Sequence, residues 1–105
     1  MDSTSVSLAG VNAATLGVAV VANNVANANS KDFRAKRVDF EDLREGGVKP
    51  SQIVESEEAT VPEGSNVDFG TEFVNLLAHA ETYKVNAKAL EVQQEILGTV
   101  MDLKV

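Results

Sequence analysis

Apolar and polar positions recur with two different periods along this chain, a helical one at both ends and an alternating one between them. Leu8, Val11, Thr15, Val18, Ala22 and Val25 recur at alternating steps of three and four, the spacing of one face of a helix. Leu16, Val20 and Val21 add apolar surface beside that seam. The pattern predicts a helix starting near Thr4 and stopping at Asn27 or Asn29. Asparagine tolerates the left-handed conformation that closes a last helical turn. The seam is shallow, since Ala and Thr fill a third of it, and Gly10 and Gly17 each cost about 1 kcal/mol of propensity relative to Ala. Such a helix needs partners to be stable.

From residue 31 the period changes. Phe33, Ala35 and Arg37 alternate with Arg34, Lys36 and Val38, which predicts a short strand. Gly46-Gly47 signals a turn. Val48 to Val61 mixes β-branched and polar residues, with Pro50 and Pro62 limiting the length of any strand. Residues 31–66 therefore read as a hairpin or an extended arm.

Helical spacing returns after Pro62-Glu63-Gly64-Ser65. Asp68 is placed to cap the start, and Glu72 falls in the first turn, facing the positive end of the helix dipole. A long stripe runs Phe73, Leu76, Ala80, Tyr83, Ala87, Leu90, Gln94, Leu97, Met101. A second runs Val85, Ala89, Val92, Ile96, Val100, Leu103. At about 100° per residue these stripes sit some 160° apart. The longer stripe is expected to meet the first helix at Val11, Val18 and Val25, leaving the second for contacts between copies. The fold class that results is mainly α. Two long terminal helices pack antiparallel as a coiled-coil-like pair, joined by a short extended or β-hairpin segment. The boundaries are 1–30, 31–66 and 67–105 within a single domain.

Composition narrows what such a chain can do. It has 105 residues, four Phe, one Tyr, no Trp and no Cys, and a net charge of −7. Scarce aromatics and abundant Ala and Val suit long helices in close contact better than a thick core. Residues 45–72 hold one Lys against seven acids, and the four basic residues of 31–37 are followed by acids. No long basic face exists, so nucleic acid is not an expected partner. Asp2 stands where a signal peptide would carry positive charge, and Asn23, Asn24 and Asn27 interrupt the apolar run. No segment is expected to span a bilayer.

Catalytic chemistry is not expected either. His79 is the lone histidine and has no second ligand type with which to build a metal site. Glu55, Glu57, Glu58 and Glu63 lack the spacing of a calcium loop. There is no phosphate-binding glycine loop and no nucleophile–base pair. No cofactor and no metal is expected, and Tyr83 reads as an interface anchor.

The asparagines form the most distinctive local motif. Asn23 and Asn27 share a helical face and offer either solvated amides at a helix end or a polar seam that fixes register. Asn23-Asn24-Val25-Ala26-Asn27-Ala28-Asn29-Ser30, with Phe33 three residues on, resembles the N-terminal signature of bacterial flagellar rod and hook proteins. Ser30 replaces the family's Thr, and Asp32 replaces its Gly. Asp is among the few other residues that enter a left-handed turn at modest cost. Asn66-Val67-Asp68, Glu72-Phe73-Val74-Asn75-Leu76, Tyr83-Lys84-Val85-Asn86-Ala87 and the end Leu97-Gly98-Thr99-Val100-Met101-Asp102 resemble the C-terminal segment of that family, with Val85 where Ala is common.

The resemblance implies a structural subunit of the basal-body rod, closest in size to the short proximal rod proteins. Such a subunit sits in the periplasm, exported by the flagellar type III apparatus without a cleaved signal. Its partners would be copies of itself and other axial proteins, met through the terminal helices. The motif and interface residues it implies are Asn23, Asn24, Ala26, Asn27, Asn29, Phe33, Asn66, Val67, Asp68, Phe73, Tyr83, Asn86, Leu90, Val92, Ile96 and Leu97. The alternative is a soluble closed helical bundle of the same ancestry, which buries an apolar stripe as completely as a polymer does.

Overall fold

Asp2 opens the first helix, α1 (Ser3–Ala26), by accepting the Ser5 N–H at 2.8 Å. That hydrogen bond holds its carboxyl below the usual carboxylate range. The computed structural model describes residues 2–103. Helix α1 ends at Asn27, whose N–H reaches the carbonyls of Asn23 and Asn24. Asn27 has φ −104°, so the expected left-handed asparagine cap is not what stops the helix. The left-handed residue is Asp32, at φ 60°.

Strand β1 (Lys36–Asp42) pairs antiparallel with β2 (Val48–Glu55) through a loop in which Gly46 and Gly47 both have φ near +90°. Backbone of that sign favours glycine. Strand β1 thus lies three residues later than the alternation from Phe33 predicted. The register slips between Asp39 and Phe40, where Gln52 and Pro50 are the partners and Ser51 bulges out. Pro50 therefore stays within β2, because the bulge accommodates its missing N–H.

Helix α2 (Phe69–Leu103) starts where Asp68 caps it, with Oδ1 accepting from Gly70 and Thr71 N–H, as expected. The helices run antiparallel, as predicted. Asn24 meets Glu72, Gly17 meets His79, Gly10 meets Asn86, and Ser3 and Ser7 meet Gln93. Each step along the pair is seven residues. The molecule measures 68 × 24 × 15 Å, a flat ribbon rather than a sphere.

The seam is not the predicted one. On α1 it is Ser7, Gly10, Ala14, Gly17, Val21 and Asn24, all buried, one residue before Leu8, Val11, Thr15, Val18, Ala22 and Val25. On α2 it is Glu72, His79, Asn86 and Gln93, which run between the two apolar stripes. Val25, Tyr83 and Leu97 are exposed, so the pairing of Val11, Val18 and Val25 with Tyr83, Leu90 and Leu97 does not occur. The reason is backbone approach. A side chain on Gly10 would overlap Asn86, and one on Gly17 would overlap the His79 ring. Only small residues let the helices come this close. Hydrophobic periodicity finds the largest apolar residues, and here those lie beside the seam.

The hairpin covers one side of the ribbon. Phe40 sits edge-on to the His79 ring at 6.4 Å, Val6 approaches Gly46, and Ala13 and Ala78 line the groove with Val48. Apart from His79, which is in the seam, these helix contacts fall one residue before seam positions. Contrary to expectation, α1 is long and apolar enough to cross a membrane by length and composition. A third of its most apolar stretch is instead buried against the rest of the protein. A core helix rich in Ala and Val meets the same test.

Candidate assembly surface and its junction

Helix α1, strand β1 and helix α2 converge on one side chain. Asn24 is fully buried. Its Nδ2 donates to the Lys36 carbonyl at 2.7 Å and to both Glu72 carboxylate oxygens, at 2.5 and 3.1 Å. Its Oδ1 accepts the Lys36 N–H at 2.9 Å. The amide thus pairs with β1 as a neighbouring strand would, and also ties the start of α2. Glu72, expected at the helix dipole, is 4% exposed and belongs to this junction. A buried carboxylate without such a donor would be costly.

Asn66 repeats the device one layer away. Its Oδ1 accepts the Ala35 N–H at 2.6 Å, its Nδ2 donates to the Glu58 carbonyl, and its N–H donates to the Phe33 carbonyl. Arg34 donates to the Ser56 and Glu58 carbonyls. Ser65 donates to the Ala28 carbonyl at 2.6 Å, and Asp32 N–H donates to the Gly64 carbonyl. Phe33 is half-buried with the Lys36 ammonium 4.4 Å from its ring centre. Side chains here satisfy main-chain groups where three segments meet without a sheet to join them.

The other motif residues take lesser parts. Asn27 folds back, its Nδ2 donating to the Asn23 carbonyl, while its Oδ1 accepts from Ser30. Asn23, Ala26 and Asn29 are exposed, and Val67 is half-buried. The register-fixing amide is therefore Asn24 rather than the Asn23–Asn27 row. Its signal was present: Gly10, Gly17 and Asn24 repeat at seven, as do Glu72, His79, Asn86 and Gln93. Asn86 donates within its own helix to the Thr82 carbonyl while lying over Gly10. His79 is half-buried in the seam.

The side opposite the hairpin is open. Because the helices are antiparallel, the residue after each seam position turns to the same side on both. That side carries Leu8, Val11, Val18 and Val25 from α1 and Phe73, Leu76, Tyr83 and Leu90 from α2. Phe73 is 61% exposed and Tyr83 46%, while Leu90 is half-buried near the seam. Val92 and Ile96, on the second stripe, are exposed as well. The side chain of Leu103 lies outside those described. Among the described residues no cluster of three His, Cys, Asp or Glu side chains is placed to hold a metal.

The result is a braced ribbon with one uncovered apolar side. Residues 60–103 match the family described as flagellar basal body rod FlgEFG protein C-terminal. That stretch, just under half of the chain, holds Asn66, Asp68, Glu72 and all of α2 with its seam and stripes, and there the resemblance to flagellar rod and hook proteins is borne out. The match supports a structural component of the flagellar rod or hook, at the basal body. No curated protein matches the chain.

Proposed function

We propose that the chain is a structural subunit of the flagellar basal-body rod that self- or co-assembles through its two terminal helices. Among rod proteins it stands nearest in size to the short proximal ones. Export through the flagellar type III apparatus into the periplasm, without a cleaved signal, belongs to the same reading. The observation that carries it is the open side of the ribbon. Large apolar residues of both helices lie there in water, whereas soluble monomers rarely leave so continuous an apolar patch uncovered. The hairpin occupies the other side, so it would face outward from whatever the helices join. The family it resembles is structural, which supports a part in assembly rather than in catalysis.

Tyr83→Asp tests this reading. Tyr83 is not itself a seam position and is exposed on the open side, so the variant should keep its helical circular dichroism. It should fail to enter isolated basal bodies, and a host relying on it should not swim. Normal incorporation and swimming would overturn the proposal. A wild-type protein that forms a closed oligomer of fixed size and is absent from basal bodies would favour the closed bundle instead.

A further inference from the structure

The hairpin is fastened at one end only. At its base the Lys36 N–H and carbonyl are both held by Asn24, and the Lys36 ammonium pairs with Glu55 at 3.7 Å. Beyond that point the polar contacts turn inward. Arg37, Ser51 and Gln52 side chains donate to Asp39, and Lys49 pairs with Glu41 at 3.0 Å. Among the described residues no hydrogen bond or ion pair joins residues 37–54 to either helix.

Packing beneath the strands is incomplete. A space of about 320 Å³ separates Phe40 and Val48 from Ala13, Ala14 and Ala78. A second, of about 380 Å³, lies toward the tip, with Leu43 and Gly47 above it and Gly10 and Asn86 below. Well-packed interiors leave few voids larger than a water molecule. Here the helices present Gly and Ala, which are too short to reach the strands. The backbone of the hairpin approaches α1 and not α2. What remains is the Phe40 ring edge-on to His79 and Val6 beside Gly46.

We infer that the hairpin is a flap, which pivots at Lys36 and Glu55, lifts at its Gly46-Gly47 tip and leaves the helix pair folded. Few apolar contacts and no polar tie to the helices are the marks of a segment that opens well below the cost of global unfolding. Closed, the flap keeps Ala13 from water and leaves the ribbon one apolar side. Lifted, it uncovers the second side of both helices. This device goes beyond the rod reading and does not rest on it.

Thiol labelling reads the opening directly, since the chain has no cysteine of its own. Ala13→Cys, under the flap, and Val21→Cys, in the helix seam near the fixed base, are each made in the full chain. Both are treated with fluorescein maleimide, a reagent too bulky for the closed space, at increasing urea. The Ala13→Cys thiol should label through an opening whose urea dependence is well below that of global unfolding. The Val21→Cys thiol should label only with global unfolding. Phe40→Ala should speed labelling of the Ala13→Cys thiol about tenfold, the scale of one aromatic contact. If Ala13→Cys alters the circular dichroism, Ala14→Cys, 1% exposed beside the same space, takes its place. The same steep urea dependence at both positions would overturn the inference, because the flap would then leave only when the whole chain unfolds. So would a labelling rate that Phe40→Ala does not change. An Ala13→Cys thiol that reacts as fast as one in the unfolded chain would overturn it too, since the hairpin would not be covering it.

Discussion

The seam between the helices and the face beside it divide the usual labour the wrong way round. The buried line on α1 is Ser, Gly, Ala, Gly, Val and Asn, and its counterpart on α2 begins with Glu72 and ends with Gln93. Beside the seam, on the open side, stand Leu8, Val25, Phe73, Leu76 and Tyr83. The seam supplies close approach and register, because small residues admit the backbone and Asn24 accepts only one arrangement of its neighbours. The open face supplies the larger share of apolar area that burial could still remove from water. The difference teaches that close approach and register within the chain rest on small and polar residues, while most of its large apolar side chains stay outside that contact.

Breaking the seam at its polar end should have the largest effect. Asn24→Ala leaves the Lys36 N–H and carbonyl and the Glu72 carboxylate without their donor or acceptor. The expected loss is about 3–5 kcal/mol, a large part of the stability of a small domain. Urea unfolding followed by circular dichroism measures it. A loss under about 1 kcal/mol would mean that water replaces the amide and that the junction is not what sets the register.

The glycine approach is the next largest element. Gly17→Ala gains about 1 kcal/mol of helix propensity but forces the His79 ring aside, and overpacking of this kind costs roughly 1–3 kcal/mol. The net outcome should be destabilising. Gly17→Ala combined with His79→Ala should recover the propensity gain, giving a favourable coupling in a double-mutant cycle. Additive effects would show that the two residues do not touch. At this point the reach of the sequence is plain. The heptad of Gly10, Gly17 and Asn24 was legible, as was that of Glu72, His79, Asn86 and Gln93. Neither is apolar, so a search for hydrophobic period passed over both.

The smallest effect should come from the last rung. Gln93→Met removes an oxygen that is buried without a partner and gives up only two long hydrogen bonds, of 3.3 and 3.4 Å. The variant should gain about 1 kcal/mol, visible as a higher Tm at neutral pH. A lower Tm would show that the amide is fully satisfied and that the seam remains well paired at its open end.

Local chemistry alone determined much of this protein. Two terminal helices, the Asp68 cap, the Gly46-Gly47 turn and the left-handed site at Asp32 follow from residue types acting on their immediate neighbours. The flagellar resemblance was equally readable, in Asn66-Val67-Asp68 and the pattern that follows it. Two apolar stripes on α2 were also visible, since periodicity needs no partner to be seen. What the tertiary structure decided is which line becomes the inside. Periodicity reports that a face is apolar, but not whether it meets its own subunit or another. That choice turned on how near two backbones come, and so on Gly10 and Gly17, and on which buried amide could satisfy a strand and a carboxylate together. Contacts between residues 48 positions apart, such as Asn24 with Glu72, leave no trace in any local window of sequence.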